Sequence, residues 1–368
     1  METAAVALVA PAFLLSVVLT RVMIWLAPKL NFVDQPGGRK IHANPKPLGG
    51  GVAIFLSIVI PMLAGLAGAY FLRIDSIDLA LIEGARQQTP LALTLLGCMT
   101  ILHIVGLIDD RRALGPYLKL VVQLGVAGVL VIGFPEMRAL TALGTTPSII
   151  LTILWIAGIT NAFNFLDNMD GLSAGVAAVC TTAFLITTLT IGQYFVAATL
   201  ALLLGALLGF LVWNFSPAKI FMGDSGSLLI GFLLGVLTIR TTFLPPGVEW
   251  GAGWYAVFAP LIVLALPLYD LIVVSAIRIR RGKSPFVGDT NHFSHRLVAR
   301  GMSKRTAVLC LYLITAATSV AAILLPQVRS TFGAMLIVGQ TLLILGVVAL
   351  LEQHPLKNEP QTNTDQHK

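Results

Sequence analysis

The feature that most constrains this chain is a succession of apolar segments, each about as long as a membrane is thick. A helix needs about 20 apolar residues to cross the hydrocarbon core of a bilayer. Eleven such segments lie near residues 4–27, 49–71, 90–108, 117–134, 147–165, 171–190, 194–213, 227–243, 253–277, 306–325 and 331–351. Charged residues make up 11% of the chain, against about 25% in a soluble domain. The sequence therefore predicts an all-α, polytopic integral membrane protein with about 11 transmembrane helices.

The distribution of lysine and arginine predicts how the helices are oriented. One set of loops, together with the C-terminal tail, holds 18 of the 24 basic residues. Because cytoplasmic loops carry the excess of Lys and Arg, we expect the N-terminus outside and the C-terminus in the cytoplasm. The same loops explain the net charge of +7 without a nucleic-acid partner. We expect a single transmembrane domain over residues 1–351 and a disordered cytoplasmic tail over 352–368.

This orientation gathers the acidic motifs on the cytoplasmic side of the membrane. Seven aspartates far apart in the sequence fall there: Asp34, Asp109, Asp110, Asp167, Asp170, Asp224 and Asp289. Random loop composition would not favour acidic residues on the side rich in basic ones. We therefore predict a single active site at the cytoplasmic face.

One polar stretch separates the fifth and sixth apolar segments. Its carboxamide and carboxylate groups recur every third residue, at Asn161, Asn164, Asp167 and Asp170. On a helix, this spacing places the two asparagines on one face near the helix end and the aspartates at its exit. Such groups at the edge of a bilayer require a cation, a substrate or water. The alternative is that they are ordinary turn and capping residues.

Two further motifs carry carboxylates. Asp109 and Asp110 can hold Mg²⁺ or accept a proton, because neighbouring carboxylates raise each other's pKa. Lys119 can neutralise phosphate charge, although a loop with internal Asp–Arg ion pairs is the alternative. Asp224 supplies hard oxygen atoms suited to Mg²⁺, and the glycines around it would let the backbone approach a ligand closely. A helix N-cap supplied by Asp224 or Ser225 is the structural alternative, and it is compatible with metal binding. Phe221 can stack on a base, and a packed or lipid-facing ring is the alternative.

Basic residues lie in the first cytoplasmic loop. Arg39, Lys40 and His42 precede a glycine-rich helix start at residues 49–51. These side chains and the backbone N–H groups of the glycines can bind phosphate. An ordinary positive loop with turn residues is the alternative.

The last loop combines histidines with arginines. His292, His295 and Arg296 offer donors suited to a diphosphate or a departing nucleotide. The basic run before them, which starts at Arg278, is typical of a topology anchor that binds anionic headgroups. Asp270, in the ninth segment, either faces the site or has a structural pairing role. His103, inside the third segment, is expected to be a satisfied core residue.

Hard oxygen ligands, cations and a membrane face together point to Mg²⁺-assisted phosphoryl-type transfer to a lipid-borne acceptor. In their order, the motifs resemble those of the polyprenyl-phosphate N-acetylhexosamine-1-phosphate transferase family, glycosyltransferase family 4, over residues 5–350. The first-loop motif, Arg39-Lys40-x-His42 followed by Pro-x-Gly-Gly, resembles the branch that starts O-antigen, enterobacterial common antigen or teichoic acid linkage units. The muramoyl-pentapeptide transferases resemble the chain less.

The resemblance implies an activity at the inner (plasma) membrane. The phosphate of undecaprenyl phosphate attacks the sugar-linked phosphorus of a UDP-sugar, with UDP-GlcNAc as the expected donor, and UMP leaves. This reaction is the first membrane step of cell-envelope polysaccharide synthesis. The resemblance places Mg²⁺, or Mn²⁺ in its place, on Asn164 and Asp224, with Asp109, Asp110 and Asp167 as catalytic residues. It assigns substrate binding to Arg39, Lys40, His42, Lys119, Asn161, Asp170, Phe221, His292, His295 and Arg296.

The chain departs from the family pattern at two positions. Asn168 stands where the family commonly has glycine, and Ser294 replaces the middle histidine of a His-x-His-His-Arg motif. Neither change removes a predicted metal ligand, but serine cannot carry the positive charge of a histidine.

Several alternatives remain open at the level of the sequence. A different UDP-sugar or UDP-MurNAc-pentapeptide is one, and a two-step route through an aspartyl intermediate is another. A transporter or lipid flippase would place ionisable residues near the midplane and would use broken helices. A non-catalytic scaffold would leave the polar motifs without a purpose. A homodimer within the bilayer is compatible with the resemblance.

Overall fold

The apolar segments form long helices that are joined at their ends by short loops. The computed structural model describes residues 2–35, 45–71, 79–241, 254–285, 291–328 and 330–353. The helices are α1 (Glu2–Ala7), α2 (Val9–Lys29), α3 (Gly50–Phe71), α4 (Leu79–Arg111), α5 (Pro116–Gly133), α6 (Thr145–Leu166), α7 (Leu172–Thr190), α8 (Tyr194–Asn214), α9 (Asp224–Arg240), α10 (Ala259–Val263), α11 (Ala265–Arg280), α12 (Phe293–Ala299), α13 (Lys304–Leu324) and α14 (Thr331–Gln353). Two short strands, β1 (Val33–Asp34) and β2 (Lys46–Pro47), pair antiparallel. The all-α prediction is confirmed.

The number of spans is close to the predicted one. Within the described residues, nine helices are long and apolar enough to cross a membrane, or ten if the bent pair formed by α10 and α11 is one span. The remaining candidate, α9, has 17 residues, of which 14 are buried. Because α9 is enclosed by other helices, its length need not match the lipid. The protein is a multi-pass membrane protein, whereas the count of eleven and the orientation remain predictions.

The centre of the bundle is formed by α6, α7, α8 and α9, and α2 and α4 pack against its flanks. The crossing of α2 and α8 depends on small residues. A Cβ atom on Gly205 would lie 2.3 Å from the carbonyl oxygen of Val9, and one on Gly209 would lie 2.5 Å from that of Phe13. Glycines four residues apart therefore let the two backbones meet, as is common between membrane helices.

The third span is longer than the predicted segment 90–108. Helix α4 starts at Leu79 and continues to Arg111, and Arg86 in its N-terminal part contacts the end of α3. Arg86 donates a hydrogen bond from Nε to the carbonyl oxygen of Ala69 at 2.9 Å, and its guanidinium lies 5.4 Å from the ring centre of Tyr70. The helix thus extends beyond the apolar segment that predicted it.

The ninth predicted span, 253–277, is not one straight helix. Helices α10 and α11 meet at Leu264 with a bend of 69°. Pro267 has no backbone N–H, and its ring would clash with the carbonyl of Val263 in a continuous helix. The break therefore had a signal in the sequence that the hydropathy pattern did not show.

Candidate active site

The predicted polar motifs meet at one end of the bundle. Asp109 and Asp110 end α4, Asp167 follows α6, and Asp224 begins α9; these four residues are called the acidic cluster below. Lys119 reaches the cluster from the first turns of α5 and Asn164 from the last turn of α6. Four elements separated by up to 115 residues thus place their polar ends together, as the convergence argument predicted for these four aspartates, whereas Asp289 lies outside the described residues.

Asp110 fixes the start of α9. Its Oδ1 accepts a hydrogen bond from the backbone N–H of Asp224 at 2.7 Å, and its Oδ2 accepts one from that of Ser225 at 3.2 Å. These are N–H groups without partners inside the helix, so the carboxylate of α4 caps α9. The predicted alternative, a cap supplied by Asp224 or Ser225 itself, is wrong.

The glycine before Asp224 serves this cap. Gly223 has a φ of +75°, and a Cβ atom there would lie 2.5 Å from Oδ2 of Asp110. Gly226 packs in the same way, since a Cβ atom on it would lie 2.9 Å from the Cα of Gly51. The glycines around Asp224 therefore let protein groups, and not a ligand, approach the backbone.

Lys119 links two members of the acidic cluster. Its Nζ lies 3.0 Å from Oδ2 of Asp109 and 2.5 Å from Oδ2 of Asp224. Asp109 also accepts the backbone N–H of Leu114 at 2.8 Å, which closes the turn after α4. The alternative of Asp–Arg ion pairs is therefore wrong for these contacts, because a lysine on the next helix pairs with the carboxylates instead. The diphosphate-binding role predicted for Lys119 stays a prediction.

Asn164 and Asp224 are adjacent, as the metal prediction requires. The Nδ2 of Asn164 donates to Oδ1 of Asp224 at 3.0 Å and to Oγ of Ser227 at 2.9 Å. Within the described residues, no three His, Cys, Asp or Glu side chains form a compact metal-binding group. Mg²⁺ commonly uses one or two protein carboxylates together with waters and substrate phosphates. The oxygen donors of Asn164 and Asp224 fit such a site.

Asp167 carries the clearest electrostatic signal outside the spanning helices. Burial is the largest cause that raises the pKa of its carboxyl well above the ordinary value. The negative charges of neighbouring carboxylates act in the same direction, namely those of Asp224, Asp110 and Asp170. A hydrogen bond to the backbone of Gly223 lowers the pKa in part. The excess negative charge around Asp167 is what a divalent cation would compensate.

Two residues of the central stretch lie at the edge of the acidic cluster. Asn161 donates from Nδ2 to Oε1 of Gln123 at 2.6 Å, so its side chain contacts α5. Asp170 accepts the backbone N–H of Ala218 at 3.0 Å through Oδ2 and so holds the loop before α9. Both contacts are structural, and the substrate-binding roles assigned to these residues stay predictions.

The first-loop prediction is tested only in part. Arg39, Lys40 and His42 lie outside the described residues. The backbone N–H groups of Gly50 and Gly51 donate to the carbonyl oxygens of Phe221 and Met222, both at 3.0 Å. They are therefore not available for a phosphate, which corrects that part of the prediction.

The same contact fixes the loop in front of α9. Phe221 is half-buried, and its backbone N–H donates to the carbonyl oxygen of Pro47. Backbone hydrogen bonds thus connect the start of α3 to this loop beside the acidic cluster. The stacking role predicted for the Phe221 ring stays a prediction.

His292 belongs to a buried network. Its Nδ1 lies 2.8 Å from Oδ2 of Asp270, and its Nε2 lies 3.4 Å from a guanidinium nitrogen of Arg278. Asp270 also accepts the backbone N–H of Phe293 at 2.8 Å. Arg278 is 2% exposed and lies over the ring of Phe165, so the prediction that it anchors to lipid headgroups is wrong.

Sequence reasoning underestimated this network although a signal was present. Asp270, Val274 and Arg278 recur every fourth residue, which places them on one face of α11, and all three are buried. An acid and a base on one helix face point to a shared partner, and here the partner is His292. His103 is buried as predicted, with Nδ1 3.0 Å from the carbonyl oxygen of Ser225 and its ring stacked on Phe55.

His295 and Arg296 lie on the same short helix, α12, and both are half-buried. The rings of His292 and His295 have their centres 6.4 Å apart. The ring of Phe165, one residue after Asn164, meets that of His292 edge-on at 5.7 Å. The end of α6 therefore contacts both the acidic cluster, through Asn164, and His292 at the start of α12, through Phe165.

Comparison with known proteins supports the reading of these motifs. A family model described as glycosyl transferase family 4 matches residues 92–242. A Bacillus subtilis protein, a probable undecaprenyl-phosphate N-acetylglucosaminyl 1-phosphate transferase, is 32% identical over 316 residues, covering 84% of this chain and 81% of the relative. The chain belongs to glycosyl transferase family 4. The resemblance drawn from the motifs is confirmed.

Two further relatives are similar over comparable lengths. A decaprenyl-phosphate N-acetylglucosaminephosphotransferase of Mycobacterium tuberculosis is 37% identical over 314 residues, which are 78% of this chain and 74% of the relative. An undecaprenyl-phosphate alpha-N-acetylglucosaminyl 1-phosphate transferase of Escherichia coli is 27% identical over 305 residues, which are 79% and 76% of the two chains. The family model covers the whole acidic cluster, whereas α12 lies beyond it.

Proposed function

We propose that this protein transfers N-acetylglucosamine 1-phosphate from UDP-N-acetylglucosamine to undecaprenyl phosphate and releases UMP. The observation that carries the proposal is the similarity, over 78% or more of the chain, to relatives named for N-acetylglucosamine phosphate transfer to a polyprenyl phosphate. The acidic cluster at one end of the membrane helices supplies the chemistry that such a transfer needs.

The reaction requires that two negatively charged phosphates come together. An oxygen of the lipid phosphate bonds to the sugar-linked phosphorus, and the bond from that phosphorus to the UMP oxygen breaks. Catalysis of such a transfer rests on in-line positioning and on charge neutralisation. Mg²⁺, when bound by Asn164 and Asp224, neutralises charge on the diphosphate oxygens.

The residues of this chain divide the remaining tasks. Lys119 lies between Asp109 and Asp224 and offers an ammonium group to the diphosphate. Asp110 uses both carboxylate oxygens to hold the start of α9, so it positions Asp224. Asp167 is buried beside other carboxylates, which raises its pKa, and it accepts a proton from the lipid phosphate in this proposal. His295 and Arg296 bind the nucleotide side.

A transport function is a weaker reading of the same geometry. A transporter places its ionisable site near the bilayer midplane, between broken helices. Here the acidic cluster lies at helix ends, and the one bent helix pair, among the described residues, contributes Asp270 to the network of His292 and not to the cluster. With the orientation expected from the basic loops, the cluster faces the cytoplasm at the plasma membrane, where UDP-sugars occur.

The proposal is tested with purified protein in detergent, undecaprenyl phosphate, Mg²⁺ and a panel of UDP-sugars that includes UDP-MurNAc-pentapeptide. We expect UMP release that requires the lipid phosphate and UDP-GlcNAc and that stops when EDTA removes the metal. Replacing Mg²⁺ with Mn²⁺ should restore part of the rate. Decaprenyl phosphate, tested in parallel, measures the preference for chain length.

Each outcome of this assay has a separate meaning. Release with another UDP-sugar would keep the reaction and correct the donor. Release that is insensitive to EDTA would remove the metal from the proposal. No release with any donor, from protein that unfolds cooperatively, would refute the transferase function.

A further inference from the structure

The two positions at which the sequence departs from the family pattern are in direct contact. Ser294 on α12 donates a hydrogen bond from Oγ to Oδ1 of Asn168 at 2.6 Å, although the two residues are 126 positions apart. Ser294 is 2% exposed and Asn168 is half-buried, so the bond is partly shielded from solvent. Asn168 follows Asp167 of the acidic cluster directly.

The direction of this bond follows from the second contact of Asn168. Its Nδ2 lies 2.6 Å from the carbonyl oxygen of Phe165, which can only accept. The amide therefore presents its NH₂ group to Phe165 and its oxygen to Ser294, and the serine hydroxyl must donate. Both ends of the Asn168 side chain are thus fixed, one by the end of α6 and the other by α12.

Helix α12 needs such contacts to be placed. It has seven residues, and a helix of that length is not stable by itself in water. Asp270 holds its start from one side by accepting the backbone N–H of Phe293. The hydroxyl of Ser294 ties it to a second element, the segment after α6 that carries Asp167 and Asn168. Two contacts from different directions determine where the following residues, His295 and Arg296, lie.

We propose that Asn168 and Ser294 form a positioning pair that sets the distance between the acidic cluster and the nucleotide-binding residues of α12. The inference rests on the proposed function, since it assigns to this pair the placement of the UDP-sugar. Neither residue is proposed to touch the reacting atoms. The pair acts through His295 and Arg296 and therefore affects the nucleotide sugar more than the lipid phosphate.

The decisive experiment compares three serine variants in the UMP-release assay. Ser294→Ala removes the donor to Oδ1 of Asn168 and so releases α12 from the segment after α6, and we expect the KM for UDP-GlcNAc to rise about tenfold. The KM for undecaprenyl phosphate should change less than about threefold, since that substrate is not placed by α12. Ser294→Thr keeps the hydroxyl and should restore the KM for UDP-GlcNAc.

Ser173→Ala is the matched control. Ser173 is 1% exposed and also donates a single hydrogen bond, to the carbonyl oxygen of Phe163 at 3.0 Å. The two alanine variants should lower the unfolding temperature to a similar extent, but only Ser294→Ala should raise the KM for UDP-GlcNAc. Equal KM values in both variants, with an active wild-type protein, would overturn the inference while leaving the transferase function intact. An inactive wild-type protein would overturn both.

A second experiment tests the coupling of the two positions. Ser294→His introduces a larger side chain against Asn168 and should abolish most activity, because the site is buried. Asn168→Gly removes the opposing side chain. The double variant should therefore be at least tenfold more active than Ser294→His alone. Losses that are additive, in activity and in unfolding temperature, would contradict a paired role.

Discussion

At the scale of single residues, the acidic cluster shows that identical side chains have different tasks. Both carboxylate oxygens of Asp110 accept hydrogen bonds from backbone N–H groups of α9. The carboxylate of Asp224 instead forms an ion pair with Lys119 and accepts a hydrogen bond from the side-chain amide of Asn164. Backbone N–H groups hold the carboxylate of Asp110 in place. The side-chain contacts of Asp224 with Lys119 and Asn164 can instead be replaced by contacts with a cation or a substrate phosphate. Asp224 is therefore the carboxylate of the pair that remains available for chemistry.

This distinction predicts the effect of Asp224→Asn. The variant removes one negative charge and one hard oxygen ligand, and we expect the rate of UMP release to fall at least about a hundredfold. The unfolding temperature should change little, because loss of the ion pair with Lys119 is offset by the removal of one of several mutually repelling carboxylates. Glu136→Gln, an exposed acid next to the far end of α5, is the control and should change neither quantity. Normal turnover of Asp224→Asn at saturating Mg²⁺ would refute its metal role.

At the scale of elements, the site depends on how closely α4 and α9 approach. Gly106 lies one turn before Asp110, and a Cβ atom on it would lie 2.4 Å from both the backbone nitrogen and the Cα of Ser225. No side chain rotation relieves a clash with backbone, so any larger residue must separate the two helices. Asp110 reaches the start of α9 because this glycine permits the contact.

Gly106→Ala should therefore lower stability and activity together. We expect the free energy of unfolding to fall by about 1–3 kcal/mol and UMP release to fall more than tenfold, because Asp110 loses its hydrogen bonds to α9. Gly97→Ala is the matched control on the same helix, since nothing lies within 4 Å of its Cβ position. It should be neutral or slightly stabilising. Unfolding in detergent and the transfer assay measure both effects, and equal behaviour of the two variants would contradict the close-contact account.

At the scale of the whole molecule, the basic loops predict which face of the bundle is cytoplasmic. Glu136, between α5 and α6, and Lys283, after α11, are exposed at positions assigned to opposite sides. In intact cells, a membrane-impermeant maleimide should label Glu136→Cys, whereas Lys283→Cys should react only after permeabilisation. The unsubstituted chain is the blank: Cys98 and Cys180 are buried, and any labelling of the half-buried Cys310 is subtracted as background. The reverse labelling pattern would invert the topology and would move the acidic cluster outside.

Much of the fold could be predicted because it depends on local chemistry. A membrane helix satisfies its own backbone within one segment, so a run of apolar residues identifies it without knowledge of its neighbours. The segment that became α6 ends where the Asn and Asp spacing predicted, with Asp167 directly after the last helical residue. The aspartate motifs were found for the same reason, since polar groups at the edge of an apolar slab stand out.

The tertiary structure alone decided which partners those groups have. Asp110 caps a helix 114 residues away, and Ser294 bonds to Asn168 across 126 residues. The N–H groups of Gly50 and Gly51 meet carbonyl oxygens of the loop before α9, and not a phosphate. Hydrogen bonds have a range of about 3 Å, so their partners depend on how the helices pack, which the period of the apolar pattern does not encode. The sequence thus determined a family 4 membrane transferase and its polar motifs, and the packing determined which of those residues hold the site together.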